Sequence, residues 1–229
     1  MQILGLQKLT LLDFPEKVAC TLFTGGCNFR CPFCHNASLV LRVKDALPIP
    51  EEEFFAFLKK RCGVLEGVCI TGGEPTFMPD LSEFIVRVRE MGFLVKLDTN
   101  GSRPAVLSSL LSEGLLDYVA MDIKNSRARY GETVGIIGFD TRPIEESASI
   151  LLSSGVPFEF RTTVVKNFHD DKSIREMGEW LPGNHKHFLQ SFIDSGDLIG
   201  SGIDGYDKKT MEYLLNVLKA YVPNAALRG

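Results

Sequence analysis

Six apolar stretches with strand character recur along the chain, and after each comes a segment whose apolar residues fall on one helical face. Residues 18–24 (VACTLFT), 67–71 (GVCIT), 94–99, 118–123, 158–165 (FEFRTTVV) and 187–192 read as strands. Residues 51–60, 80–91, 103–112, 143–152, 173–181 and 207–221 read as helices. In 80–91, for example, Leu81, Phe84, Ile85 and Val88 share one face, and a proline near the start of 103–112 and of 143–152 suits a first helical turn. Helices placed between successive strands favour parallel pairing with right-handed crossovers. The expected fold class is therefore α/β, with the sheet curled into a partial (β/α)6 barrel or left open and doubly wound.

A chain of 229 residues is long enough for one sizeable core, and no linker rich in Pro, Gly or Ser, low-complexity tract or close repeat divides it, so residues 1–229 are expected to form a single domain. The formal net charge is −4, and no run of Lys or Arg supplies the footprint of a nucleic-acid binder. The first residues lack a basic region followed by a long apolar stretch, and no later segment reaches bilayer-spanning length. The expectation is a cytoplasmic protein with no nucleic-acid and no membrane partner.

Polar, glycine-containing and metal-capable residues gather just after the strands, at the carboxyl-end rim where parallel α/β folds place their sites. Of six cysteines, Cys27, Cys31 and Cys34 stand at C-x3-C-x2-C spacing directly after the first strand. Clustering this tight favours metal ligation over disulfides, and thiolates suit iron or zinc. His35 could complete a Cys3His zinc site, but ligands adjacent in sequence rarely reach one tetrahedral ion together. No second cysteine pair stands at matching spacing, which leaves the centre one ligand short. Cys20, Cys62 and Cys69 lie in apolar stretches and read as small buried hydrophobes. His169, His185 and His187 stand apart from the motifs and read as surface or strand-end residues.

Three further clusters have structural readings of their own. Thr71-Gly72-Gly73-Glu74-Pro75 could be a plain strand-to-helix turn, although its glycines also let backbone approach a ligand closely. Asp98-Thr99-Asn100-Gly101 could be a turn and helix start. Lys124 ends a strand, where lysines are commonly solvated. Arg161 lies within an apolar strand and needs a carboxylate partner from protein or cofactor, of which the cofactor is favoured.

The run Gly25-Gly26-Cys27-Asn28-Phe29-Arg30-Cys31-Pro32-Phe33-Cys34-His35-Asn36 resembles the cluster loop of the radical S-adenosylmethionine (SAM) superfamily, and its His-Asn ending resembles the glycyl-radical-enzyme activases. The approach, residues 13–24 (DFPEKVACTLFT), is similar to that of anaerobic ribonucleoside-triphosphate reductase activating proteins. The resemblance implies a partial barrel of the radical SAM type. It implies a 4Fe-4S cluster on Cys27, Cys31 and Cys34, with SAM chelating the fourth iron and one electron releasing a 5′-deoxyadenosyl radical. It also implies that Phe33 and His35 line the adenosyl side, that Gly72, Gly73 and Glu74 hold the cofactor ammonium, and that Asp98, Thr99 and Asp122 hold a monovalent cation near the cofactor carboxylate. Lys124 and Arg161 would face anionic cofactor groups. Residues 37–60 contain no cysteine, which is similar to single-cluster members. The implied partners are the glycine loop of an anaerobic ribonucleotide reductase and an electron donor such as flavodoxin or ferredoxin; a radical enzyme acting on a small heterocycle such as a pterin, or on a peptide, is the alternative.

Overall fold

The first element is one the periodicity does not predict: Ile3–Thr10 forms β1, antiparallel to β2 (Ala19–Thr24). The computed structural model describes residues 1–194 and 196–228. After β2, α1 (Ala37–Leu41) and α2 (Glu51–Lys59) lead to β3 (Gly67–Gly72), α3 (Leu81–Glu90) to β4 (Leu94–Thr99), and α4 (Pro104–Ser112) to β5 (Tyr118–Asp122). Then α5 (Tyr130–Val134) and α6 (Arg142–Ser153) lead to β6 (Phe158–Val164), α7 (Asp171–Trp180) to β7 (Lys186–Ser191), and α8 (Lys208–Lys219) to β8 (Ala225–Arg228). All six expected strands are present to within one residue at either end, and β1 and β8 are additions.

Strands β2 to β8 are parallel, and all eight lie side by side in chain order. Among the described residues the edges, β1 and β8, do not pair with each other, so the α/β sheet is an open, partial barrel. Local signals fix the helix starts. Asp170 Oδ1 accepts from Ser173 N at 2.8 Å while Asp170 N donates to Ser173 Oγ at 2.9 Å, a capping box that opens α7. Asp207 accepts from Thr210 N at 2.8 Å and caps α8.

Side-chain alternation along the strands separates two environments. Leu22, Ile70, Leu97, Val119, Phe160 and Leu189 are fully buried in one cluster with Phe84, Ile85, Leu107, Ile144, Ile174 and Leu214 of the surrounding helices. Each such side chain contributes ~1.5–3 kcal/mol on burial, so the layer between strands and helices carries the stability. The lumen side is polar: Thr21 lies in register with Cys69, Cys69 with Lys96, Lys96 with Tyr118, and Asp122 with Arg161.

Two expectations are corrected here. Cys69 is buried, but in this charged lumen, where its Sγ lies 3.7 Å from Asp98 Oδ1; Cys62 is exposed. His169 and His187 are wholly buried. His187 Nε2 lies 3.0 Å from Thr162 Oγ1, and His169 braces backbone, taking a hydrogen bond from Val165 N at 3.1 Å with Nε2 placed 2.8 Å from the Lys124 carbonyl oxygen. With Nδ1 accepting, a neutral His169 carries its proton on Nε2 and donates it to Lys124.

Candidate active site

The carboxyl ends of the strands surround a cavity of about 450 Å³, and every site residue singled out in the sequence lines it: Cys27, Cys31, Cys34, Phe33, His35, Gly72, Gly73, Glu74, Asp98, Thr99, Asp122, Lys124 and Arg161. The cysteine loop leaves β2 and is held from several sides. Gly26 N donates to Leu39 O at 2.8 Å, Arg30 N to Val134 O at 2.9 Å, and Gly200 N to Pro32 O at 2.7 Å. Inside the loop the Arg30 guanidinium donates to the carbonyl oxygens of Cys27 at 2.6 Å and Phe29 at 2.7 Å. Phe29 N donates to Cys27 Sγ at 3.3 Å, a contact that stabilises a thiolate. Burial nevertheless pushes the Cys27 thiol up to about 11 and the Cys31 thiol up to about 12.

The glycine turn after β3 is built for contact with that loop. A Cβ on Gly73 would lie 1.8 Å from the carbonyl oxygen of Gly26, and one on Gly72, whose φ is +120°, would lie 2.3 Å from Thr24 N. Both glycines are therefore needed where two backbones meet, a role not read from the sequence. Glu74 is 1% exposed. Its Oε1 accepts from Thr76 N at 3.2 Å, Thr76 Oγ1 at 2.6 Å and Thr99 Oγ1 at 2.7 Å, and its Oε2 from Asn100 N at 2.6 Å. Burial raises its carboxyl above the usual range despite these donors. The Glu74 side chain thus ties the turn to the end of β4.

Beyond Thr99, Asn100 Nδ2 donates to Asn28 Oδ1 at 2.9 Å and lies 3.7 Å from Cys27 Sγ. Asn36 Nδ2 donates to Gly72 O at 3.1 Å. Neither asparagine was given a site role, although Asn36 belongs to the His-Asn ending and Asn100 to the run 98–101. Phe33 packs on Phe168 at 5.8 Å and edge-on to His169 at 6.4 Å, while the His35 ring lies 5.3 Å from Phe192. Burial, followed by Lys124, lowers the His35 imidazole.

Strands β4, β5 and β6 carry a chain of alternating charges at the cavity. Lys96 pairs with Asp98, Arg161 Nη1 reaches Asp98 Oδ2 at 3.0 Å, Arg161 Nε reaches Asp122 Oδ1 at 3.0 Å, and Lys124 Nζ reaches Asp122 Oδ2 at 2.9 Å. Burial alone would raise Asp122, but Arg161 and Lys124 outweigh it and hold the carboxyl down at about 2; Asp98 is lowered by Arg161 and Lys96 against the same burial. Arg161 thus finds its carboxylates within the protein, not in the cofactor that the sequence reading favoured. Lys96, 1% exposed, was overlooked; the signal was a lysine two residues before Asp98, on the same face of an otherwise apolar strand.

Residues 21–181 match the Radical SAM superfamily. The chain belongs to that superfamily. It is 30% identical over 98% of its length to a Methanocaldococcus jannaschii protein named as a glycyl-radical enzyme activating enzyme, of which it covers 94%. It is also 31% identical to a Thermococcus kodakarensis protein named for GTP 3',8-cyclase activity, over 64% of this chain and 47% of that one, so it spans about half the length of this second relative. Streptococcus suis SuiB, solved with its precursor peptide SuiA, shares the fold at a TM-score of 0.71 and 16% identity, over 91% of this chain and 48% of SuiB.

Radical SAM enzymes use a 4Fe-4S cluster and SAM, and the residues present fit both. Among the described residues no three His, Cys, Asp or Glu side chains are arranged to hold a single metal ion. The three loop thiols instead line one wall of the cavity, a donor set suited to a cluster that takes one thiolate per iron. Ligation would deprotonate the two thiols that burial alone keeps protonated. When bound, the cluster supplies the electron that cleaves SAM. The chain's own part is to hold Cys27 by the contacts of Arg30, Phe29 and Asn100, and to bring Lys124 and Arg161 to the same cavity. Among the described residues no helix is long and apolar enough to cross a membrane.

Proposed function

We propose that this radical SAM enzyme is a glycyl-radical-enzyme activase whose target is an anaerobic ribonucleoside-triphosphate reductase, and that the residues lining its cavity bind SAM. The observation that carries the reading is the end-to-end match with the M. jannaschii protein named as a glycyl-radical enzyme activating enzyme: 98% of this chain against 94% of that protein. The cyclase likeness is confined to 64% of the chain and leaves more than half of that relative unmatched. The activase reading is further supported by the His35-Asn36 ending of the cysteine loop and by the unpaired edges of the barrel.

In this reading a hydrogen atom would pass from a backbone glycine Cα of the reductase to the 5′-deoxyadenosyl radical, leaving 5′-deoxyadenosine and a glycyl radical, and no side chain of the activase has to act as a general base. A one-electron donor such as flavodoxin or ferredoxin supplies the reducing equivalent. The test is anaerobic incubation of the reconstituted chain with SAM, reductant and the reductase, read by electron paramagnetic resonance. A glycine-centred doublet on the reductase is expected. Its absence, together with conversion of GTP or a related heterocycle, would move the assignment to the cyclase class.

A further inference from the structure

The monovalent cation implied by the resemblance meets a site in which each carboxylate oxygen is already paired with a cationic side chain of the protein. Asp98 Oδ1 is taken by Lys96, Asp98 Oδ2 by Arg161 at 3.0 Å, Asp122 Oδ1 by Arg161 at 3.0 Å and Asp122 Oδ2 by Lys124 at 2.9 Å. The hydroxyl of Thr99, the third expected ligand, is engaged elsewhere: it donates to Glu74 at 2.7 Å and accepts from Gly101 N at 3.1 Å. Two carboxylates already matched by three protein cations are a poor fit to a further positive ion.

Lys96 explains the difference. It projects from β4 into the lumen, directly in register with Cys69 of β3, whose Sγ lies 3.8 Å from its Nζ and is a weak acceptor. The carboxylate of Asp98 is its one strong partner among the described residues. We propose that the Lys96 ammonium takes the place of a bound monovalent cation, so that SAM binding by this chain requires neither sodium nor potassium.

Charge counting supports the substitution. Asp98 and Asp122 against Arg161 and Lys124 sum to zero, and Lys96 brings the connected group to +1, the same increment that one bound monovalent ion would bring. Because the ammonium is tethered to a strand and wholly buried, it need not be captured from solution. Lys96 is thus a positioning residue that acts through Asp98 and Arg161.

This inference rests on SAM binding in the cavity but not on the reductase, so its test is separate from that of the activase reading. The anaerobically reconstituted full chain is titrated with SAM, following the cofactor-induced change in the resonance signal of the reduced cluster. Titrations in choline, sodium and potassium chloride at one ionic strength keep screening constant. For the unaltered protein the dissociation constant is expected to stay within about twofold across the three salts, and for Lys96→Met to rise roughly tenfold or more in choline and to recover in sodium or potassium. A strong sodium or potassium requirement in the unaltered protein would overturn the proposal. So would a Lys96→Met protein that binds normally in choline, or one whose loss no cation rescues. If Lys96→Met does not fold, the salt series on the unaltered protein decides alone.

Discussion

Thr99 Oγ1 donates to Glu74 Oε1 at 2.7 Å, joining the glycine turn after β3 to the end of β4 beneath the cysteine loop. Glu74→Gln puts an amide donor among groups that already donate, and should destabilise the cluster-free chain by ~1–3 kcal/mol. Thr99→Val removes one of those donors and should cost ~1 kcal/mol. Because the two side chains touch, a double-mutant cycle by urea unfolding should give a coupling of at least ~0.5 kcal/mol. Strictly additive losses would show that the contact does not hold the turn.

Gly73→Ala tests the backbone approach. Its Cβ would lie 1.8 Å from Gly26 O, so the cysteine loop must move, at a cost of ~1–3 kcal/mol or more. Gly155→Ala, where nothing lies within 4 Å, is the control. Iron content after anaerobic reconstitution should fall for the first and not for the second. Equal iron in both would mean that the loop tolerates the shift.

Cys27→Ser, Cys31→Ser and Cys34→Ser should each abolish the broad visible absorption of the reconstituted protein, which otherwise binds about four irons per chain. Cys20→Ala and Cys62→Ser should leave it intact. Far-ultraviolet circular dichroism should be unchanged in the three serine variants, because each replaces one sulfur by oxygen in a loop and leaves the apolar contacts of the strands and helices in place. Stoichiometric zinc and no visible absorption in the unaltered protein would contradict the cluster.

Burial pushes His187 down to about 3, with His185 adding to the effect, and His169 down to about 4 against two backbone hydrogen bonds. In the unfolded chain both titrate near ~6.5. Between pH ~6.5 and ~4 the unfolded state therefore binds more protons, and stability falls as pH falls through that window. For His169 the loss at the acid end is on the order of 3 kcal/mol. His187→Gln should lose less stability than the unaltered chain between about pH 7 and about pH 5 in guanidinium unfolding. Parallel losses would exclude His187 as a contributor.

The six parallel strands and their helices were legible because each packs an apolar face against the outer layer, which imprints periodicity on the sequence. β1 was not: it has no helix of its own to complete a βα unit, and Gln7, Lys8 and Leu9 at its end are exposed. β8, with four residues, and α1 and α5, with five each, are too short to show a period. The cysteines, glycines and aspartates were legible as residue types in a spacing, whereas their partners were not. Nothing in a linear pattern pairs Arg161 with Asp98 and Asp122, residues 63 and 39 positions away that meet only when β4, β5 and β6 align. Lys96 and Cys69 were hidden for the same reason, since a polar lumen residue looks misplaced until the curvature of the sheet is known.

That the first and last strands never meet has a topological consequence. A closed barrel can be entered only through its ends, so a polymer would have to thread a free terminus or double back at the mouth. A barrel with a seam along its height can be entered sideways by the middle of a chain, with both flanking segments still anchored in their own fold. Whatever reaches this lumen through the seam need not unfold to do so.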